Sequence, residues 1–145
     1  MGHLPEFELK RATSLAQAVA WLAADPRARL HAGGTDLVPN LRRGIERAAV
    51  LVDLSAVHGL SDITLTDSGL TLGARVTLAR LATDPTIAQQ FPALAQAAGA
   101  VAGPAHRSSA TLGGNLCLDT RCVFYNQSDW WRAANDHCLK RGGTL

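Results

Sequence analysis

Ala28-Arg-Leu-His-Ala-Gly-Gly-Thr-Asp36 is the run from which the architecture of this chain can first be worked out. Ala28 to Ala32 is a brief, largely apolar stretch that predicts an extended strand entering the glycine pair. Thr35 or Asp36 can then cap a helix that continues through Arg43 and stops at Gly44, a residue type that often ends helices. The run therefore predicts a strand, a glycine turn and a helix in succession.

The segments on either side extend this unit. Ser14 to Ala24 carries leucine and valine at helical spacing and stops at Asp25-Pro26, which predicts a short amphipathic helix. Ala49 to Leu54 is apolar and β-branched enough for a buried strand. One compact αβαβ unit is therefore expected up to Leu54.

A different pattern begins after this unit. Ile63 to Thr66 and Leu70 to Gly73 alternate apolar and polar residues around Asp67-Ser-Gly69, which predicts two antiparallel strands joined by a tight turn. Helical spacing returns at 77–82 and 86–99.

Prolines and glycines mark the boundaries in this second part. Pro85 and Pro92 interrupt the helical spacing, and Gly103-Pro104 is expected to close the second helix. A glycine-rich loop is expected at 111–115.

Charge and hydropathy exclude several classes of partner. The formal net charge of +2 comes from arginines scattered along the chain, whereas nucleic-acid-binding proteins cluster their positive charge. No stretch approaches the ~18 consecutive apolar residues that a transmembrane helix needs. The N-terminus has no basic and apolar leader. The sequence therefore predicts a cytoplasmic protein that binds neither nucleic acid nor a membrane.

Cys117, Cys122 and Cys138 are the three cysteines of the chain, and all lie near its C-terminus. A disulfide framework normally has an even number of cysteines, so reduced thiols or metal ligands are expected here. By spacing alone, ordinary buried thiols are favoured, because no Cys-x-x-Cys pair is present.

Two glycine motifs, Ala32-Gly-Gly-Thr-Asp36 and Thr111-Leu-Gly-Gly-Asn115, are the candidates for ligand binding. Paired glycines allow positive φ and close approach of the backbone, so that successive N–H groups can point into one concavity suited to phosphate. The alternative is that each pair is a tight turn, since neither motif has the spacing of a Rossmann or Walker loop. His106 and Arg107 precede the second motif and could supply positive charge or belong to a solvated loop. No catalytic constellation is present, so no catalytic residue is predicted.

Together with Leu51-Val-Asp-Leu54 and Leu72-Gly-Ala-Arg-Val-Thr77, these motifs give the whole chain a resemblance to the FAD-binding subunits of the molybdenum hydroxylases. That group contains xanthine and carbon monoxide dehydrogenases. The resemblance implies an α+β (α/β) fold, the two-subdomain FAD-binding fold of the PCMH/VAO type. Here it would be truncated before the second subdomain is complete and would lack the C-terminal domain. It also implies an electron-transfer subunit, with the molybdenum cofactor on a large partner subunit and 2Fe-2S centres on a small one.

In that family the two glycine loops wrap the FAD pyrophosphate. The resemblance therefore implies FAD contacts, some of them weaker flanking ones, at Arg29, Leu30, His31, Ala32, Gly33, Gly34, Thr35, Asp36, Val101, Thr111, Leu112, Gly113, Gly114 and Asn115.

The segment Asp119-Thr-Arg-Cys-Val-Phe-Tyr-Asn-Gln-Ser-Asp-Trp-Trp-Arg132 resembles a narrower group, the β subunits of 4-hydroxybenzoyl-CoA reductase. In that group it begins an insertion that holds a 4Fe-4S cluster, and Cys122 and Cys138 match the first two metal ligands. The other two ligands would follow Leu145, and the resemblance gives Cys117 no role. The implied reaction is reductive removal of the phenolic hydroxyl to form benzoyl-CoA in aromatic degradation, with reduced ferredoxin as the electron donor.

Three segments are expected on this basis. Residues 1–58 would form an N-terminal αβ subdomain with the first FAD loop, and 59–116 a second subdomain with the other loop facing it. Residues 117–145 would begin the iron–sulfur insertion and lack a fixed fold without the metal. Two alternatives stay open, namely the flavin subunit of another molybdenum hydroxylase and a truncated remnant without function.

Overall fold

The computed structural model describes residues 3–119, 122–139 and 142–143. Its strands are β1 (Glu8–Arg11), β2 (Ala28–His31), β3 (Val50–Asp53), β4 (Ile63–Thr66) and β5 (Gly69–Leu72). Its helices are α1 (Leu15–Ala24), α2 (Leu37–Arg43), α3 (Leu78–Thr83), α4 (Pro85–Gln90), α5 (Pro92–Ala100), α6 (Pro104–Ser109), α7 (Leu112–Leu116) and α8 (Asp129–Ala134). This mixture of helices and strands confirms the predicted fold class. Within the described ranges, no helix is long and apolar enough to cross a bilayer.

Strands β1, β2 and β3 form a parallel sheet in the order β1-β3-β2. Every residue of β3 is buried, as predicted for the apolar strand. β1 was not predicted, because Glu8, Lys10 and Arg11 leave no apolar pattern, but its backbone pairs with β3 along its whole length. The register places Arg11 and His31 on either side of Asp53 at the carboxyl end of the sheet.

Helix α1 begins and ends as its sequence predicts. The Ser14 hydroxyl accepts a hydrogen bond from the Gln17 N–H at 3.2 Å, which satisfies one of the free amide groups of the first turn. Asp25 ends the helix in an extended conformation. The helix packs on the sheet through a first hydrophobic cluster, whose buried members are Ala12, Ala18, Ala28, Val50, Val52, Leu54 and Val57.

The predicted hairpin is present, with Ile63 of β4 opposite Leu72 of β5. Gly69 takes a φ of 136°, which only glycine adopts readily, at the end of the turn. The hairpin and helices α3 to α5 surround a second hydrophobic cluster, whose buried members are Val76, Leu78, Leu81, Ile87, Ala95 and Ala98.

The prediction of a glycine-rich loop at 111–115 is wrong, because the structure has two short helices between 104 and 116. Pro104 does not close a helix but opens α6, where its missing N–H costs nothing at the first helical position. Thr111 caps α7 by accepting a hydrogen bond from the Gly114 N–H at 3.2 Å. The second glycine pair therefore lies inside a helical turn.

Contacts cross the predicted boundary at residue 58. The Arg75 guanidinium donates across this boundary to the Ser55 carbonyl at 2.9 Å, whereas the Arg75 N–H donates at 2.6 Å to the Leu60 carbonyl on its own side. A β-carbon on Gly73 would overlap the Leu60 carbonyl, so the close approach of these two residues, both after the boundary, requires glycine. The division into subdomains at this boundary stays a prediction.

The part of 117–145 that the structure describes has a small local packing around Tyr125 and Arg132. Tyr125 is 2% exposed and Arg132 is 3% exposed. The Arg132 guanidinium lies 5.1 Å from the centre of the Tyr125 ring, and the Tyr125 hydroxyl donates to Asp119 at 3.1 Å. That these residues lack a fixed fold without the metal stays a prediction.

Candidate functional site

The first glycine motif leaves the sheet at the edge where ligands usually bind in α/β proteins. It follows β2 directly, at the carboxyl end of the parallel strands. Gly34 takes a φ of +68°, in the left-handed region predicted for a phosphate-binding turn. No described residue accepts a hydrogen bond from the N–H groups of Gly33, Gly34 or Thr35. These three donors are therefore available to a ligand.

The second glycine motif uses its own N–H groups. Leu112 donates to the Val76 carbonyl and Gly113 to the Ala74 carbonyl, each at 2.8 Å. Gly114 donates to Thr111 within the helical cap. A β-carbon on Gly113 would lie 2.8 Å from the Ala74 β-carbon, so glycine is required there for close packing.

Positive φ was the predicted reason for both glycine pairs, and it holds only for Gly34. Neither Gly33, Gly113 nor Gly114 has a positive φ. At these three positions a β-carbon would come too close to a neighbouring backbone or side-chain atom, so the need for glycine comes from packing and not from a turn.

The structure brings the first motif against the segment that leads into the second. A β-carbon on Gly33 would overlap the carbonyl oxygen of Ser109 and lie 3.3 Å from the Ala110 α-carbon. Thr111, the first residue of the second motif, directly follows Ala110 in the chain. The two motifs are thus neighbours in space although they are far apart in the sequence.

A cleft of about 440 Å³ opens beside this contact. It is lined by His31, Gly33, Gly34, Thr35, Val38, Pro39, Ala105, His106 and Ser109. Several predicted FAD contacts are therefore part of the lining, namely His31, Gly33, Gly34 and Thr35. The lining residues on α6 other than His106 were missed, because α6 itself was not predicted.

The remaining predicted contacts are not part of the cleft lining. Ala32 and Asp36 flank the lining glycines, and Thr111 to Asn115 form α7 and its cap. The Arg29 guanidinium donates to the Pro26 and Ala28 carbonyls, both at 2.9 Å. Leu30 is 48% exposed on the edge strand.

Arg107 stabilises a loop. Its guanidinium donates to the carbonyls of Val101 and Ala102 at 3.0 and 2.6 Å. Ala102 has a φ of 46°, which is unfavourable for alanine, and these bonds help to hold it. Of the two basic candidates before the second motif, only His106 lines the cleft.

Asp53 lies beneath the first motif, at the end of β3. Its carboxylate accepts hydrogen bonds from the Ser55 hydroxyl at 2.6 Å, the Ser55 N–H at 2.9 Å and the Arg11 guanidinium at 3.1 Å. Burial by itself would raise the pKa of Asp53, but the Ser55 and Arg11 hydrogen bonds and the nearby His31 together lower that pKa below its usual value. Asp53 is therefore a fixed negative charge at neutral pH.

The two predicted metal ligands have different surroundings. The Cys122 sulfur is exposed and accepts a hydrogen bond from the Tyr125 N–H at 3.1 Å, whereas Cys138 is half-buried. Among residues 3–119, 122–139 and 142–143, no three histidine, cysteine or acidic side chains group as a metal site. Cys117 is exposed.

Comparison with known proteins adds to this geometry. Residues 5–133 match the family model described as the FAD binding domain in molybdopterin dehydrogenase. The chain is 41% identical over 108 residues to the xanthine dehydrogenase FAD-binding subunit of Escherichia coli O157:H7, which covers 74% of this chain and 37% of that subunit.

Solved structures show the same fold. Quinoline 2-oxidoreductase from Pseudomonas putida 86 superposes with a TM-score of 0.75 at 39% identity, over 79% of this chain and 40% of that one. Carbon monoxide dehydrogenase from Hydrogenophaga pseudoflava superposes with a TM-score of 0.76 at 30% identity, over the same shares. The chain spans about two fifths of the length of these relatives.

Proposed function

The chain belongs to the family of FAD-binding domains of the molybdopterin dehydrogenases, and on that basis we propose that it binds FAD beside its two glycine motifs as the flavin part of a molybdenum-containing oxidoreductase. The observation that carries this proposal is the contact of Gly33 with the Ser109–Ala110 backbone, which sets the two motifs side by side. An isolated tight turn would not need this approach. The site residues predicted from the sequence remain proposals.

The residues present fit the pyrophosphate of FAD. The free N–H groups of Gly33, Gly34 and Thr35 can donate to phosphate oxygens, as backbone donors do in other anion-binding turns. Glycine at 33 permits the contact with the Ser109 backbone, and glycine at 34 leaves room for the His31 ring. The N–H groups of Leu112, Gly113 and Gly114 in the second motif are bonded within the protein, so the donors offered to the ligand are those of the first motif.

FAD, when bound, supplies the redox chemistry, and the protein supplies binding and electrostatics. The chain's own residues hold the backbone donors of the phosphate site in place. We therefore propose an electron-transfer role, with substrate chemistry at a molybdenum cofactor on a large partner subunit and 2Fe-2S centres on a small one. The similarity to a protein named as a FAD-binding subunit supports such partners.

The test compares two alanine variants with the same backbone strain. Gly34 and Gly44 both have a φ of +68°, but nothing lies within 4 Å of a β-carbon at 44, whereas one at 34 would lie 2.8 Å from His31 Nε2. Flavin fluorescence titration should give a Kd for Gly34→Ala at least about tenfold weaker than for Gly44→Ala. Equal affinities in the two variants would contradict the proposal.

A functionless remnant is the alternative from a different class. It predicts that the wild-type chain quenches no flavin fluorescence at any concentration of FAD. Saturable binding with one flavin per chain excludes it.

We also propose a narrower function, that of the flavin subunit of a 4-hydroxybenzoyl-CoA reductase with an additional 4Fe-4S cluster and ferredoxin as donor. Its support is the resemblance of the segment from Asp119 onward, together with the Tyr125 N–H bond to the Cys122 sulfur. An iron–sulfur cluster is held by cysteine sulfurs, which in such sites also accept hydrogen bonds. A xanthine, aldehyde or carbon monoxide dehydrogenase subunit is the competing assignment.

Iron content tests the narrower function. The protein encoded by the full reading frame should be purified without oxygen, as wild type and as the variants Cys122→Ser, Cys138→Ser and Cys117→Ser. Loss of iron is expected in the first two variants and near-normal iron in the third, because a cluster normally needs all four thiolates. An iron-free wild type that carries FAD would favour the competing assignment.

A further inference from the structure

The cleft beside the first glycine motif contains little positive charge for a phosphate ligand. Its lining has neither lysine nor arginine, and only His31 and His106 among these nine residues can become cationic. Arg107, the nearest arginine in sequence, is occupied with the carbonyls of Val101 and Ala102. A pyrophosphate brings two negative charges, so protonated histidine is the lining's source of compensating charge.

His31 lies between this cleft and a buried carboxylate. Its Nδ1 is buried and forms no hydrogen bond with any described residue. It lies 3.8 Å from Asp53 Oδ1. Its other nitrogen, Nε2, lies against the first motif, since a β-carbon on Gly34 would come within 2.8 Å of it. The ring therefore has one nitrogen on the carboxylate side and the other on the glycine side.

We propose that His31, held by Asp53, is a proton-dependent phosphate-binding residue, so that the affinity for FAD falls as the pH rises through the titration range of histidine. The inference rests on the proposed function and deepens it. Asp53 acts as a positioning residue through His31, and His31 itself faces the ligand.

Whether Nε2 attracts or repels a phosphate oxygen depends on which protons the imidazole carries. A neutral ring with its proton on Nδ1, towards Asp53, offers only a lone pair at Nε2, which repels a phosphate oxygen. The protonated ring carries a proton on both nitrogens, so the positive ring is attracted to the carboxylate 3.8 Å from Nδ1 and Nε2 can donate to the phosphate. Binding of the anion is therefore coupled to uptake of a proton by His31.

The elements that neighbour His31 carry other charged groups. Asp53 on β3 is already ionised and is bonded by Arg11 from β1. Asp36 at the start of α2 accepts a hydrogen bond from the Asn40 amide at 3.1 Å. His106 on α6 lines the same cleft and is exposed, which makes it the competing source of pH dependence.

The experiment is a titration of the full chain with FAD between about pH 6 and about pH 8, the range in which histidine changes charge. The wild type should lose about tenfold in affinity over this range, the size expected for one charged hydrogen bond. His31→Gln should bind at pH 6 as the wild type binds at pH 8 and should show no pH dependence. His58→Gln, an exposed histidine outside the cleft lining, should match the wild type.

Further variants separate the two cleft histidines and the role of Asp53. His106→Gln should keep the pH dependence, whatever its overall affinity. Asp53→Asn should move the midpoint of the pH dependence to lower pH, because the protonated ring has lost its carboxylate. If His31→Gln does not fold, proton NMR of the wild type provides the readout. FAD should then shift the titration midpoint of one histidine ring signal to higher pH.

The outcomes distinguish this inference from the proposed function. Binding of FAD with pH-independent affinity, or a pH dependence removed by His106→Gln, overturns the inference and leaves the proposed function standing. Absence of FAD binding at every pH overturns both.

Discussion

Asp53 keeps its charge although only 7% of the residue is exposed. Three hydrogen bonds from Ser55 and Arg11 replace the water that burial removes, and they lower the pKa of the carboxyl despite the burial that would raise it. A carboxyl whose pKa is lower in the folded chain than in the unfolded one stabilises the fold wherever it is ionised.

Replacing Asp53 therefore has a defined pH signature. Asp53→Asn should lower the free energy of unfolding at pH 7 by about 2 kcal/mol, since the amide cannot accept all three hydrogen bonds. The loss should be full above the ordinary carboxyl pKa of 3.8 and should vanish as the pH falls through the lowered pKa of Asp53. Urea unfolding at several pH values measures this difference.

Asp67→Asn is the matched control for that measurement. Asp67 is exposed in the turn between β4 and β5, where asparagine is equally favourable. Its unfolding midpoint should stay close to that of the wild type. A pH-independent loss in Asp53→Asn would show that shape rather than charge is responsible.

At the scale of the elements, capping signals and prolines determined what could be predicted. Ser14 and Gly44 mark the ends of α1 and α2 because the first accepts a backbone N–H and the second takes a left-handed conformation. Both act within one turn, so a short window of sequence is sufficient to find them. The hairpin around Asp67-Ser-Gly69 is local in the same sense.

Elements made by distant contacts could not be predicted in this way. β1 is a strand only because β3 pairs with it from far along the chain. The cleft could not be predicted because it depends on the contact of α6 with Gly33, and no short window of sequence contains both. Both glycine motifs could be found, whereas the structural cause of the second one could not.

The glycine of α7 offers a test at this scale. A β-carbon on Gly113 would lie 2.8 Å from the Ala74 β-carbon and 2.9 Å from the Ala74 carbonyl, whereas one on Gly99 of α5 would make an ordinary contact of 3.7 Å with Ala82. Gly113→Ala should destabilise the chain by about 2 kcal/mol. Gly99→Ala should stabilise it by up to about 1 kcal/mol, because alanine favours helix.

Thermal unfolding of the two variants and the wild type provides the measurement. The two substitutions are chemically identical and both lie in helices, so opposite signs isolate the contact with Ala74. A stabilised Gly113→Ala would contradict the close packing of α7.

Across the whole molecule, the two hydrophobic clusters follow one another along the chain. Members of the first lie between Ala12 and Leu60, and members of the second between Ile63 and Leu112. Arg75 connects the two regions through its bonds to Leu60 and Ser55. The cleft lies where Gly33 from the first region meets Ser109 from the second, so both regions must be folded for it to exist.

The order β1-β3-β2 has a consequence for how the chain folds as it is synthesised. β1 and β2 do not pair with each other, so neither belongs to a sheet until β3 has left the ribosome. Closing that sheet joins residues 42 positions apart, such as Arg11 and Asp53, which is a slow and entropically costly step. The same step sets Arg11, Asp53 and His31 in one row. Nascent chains therefore acquire their sheet and its row of charged side chains only after β3 has been synthesised.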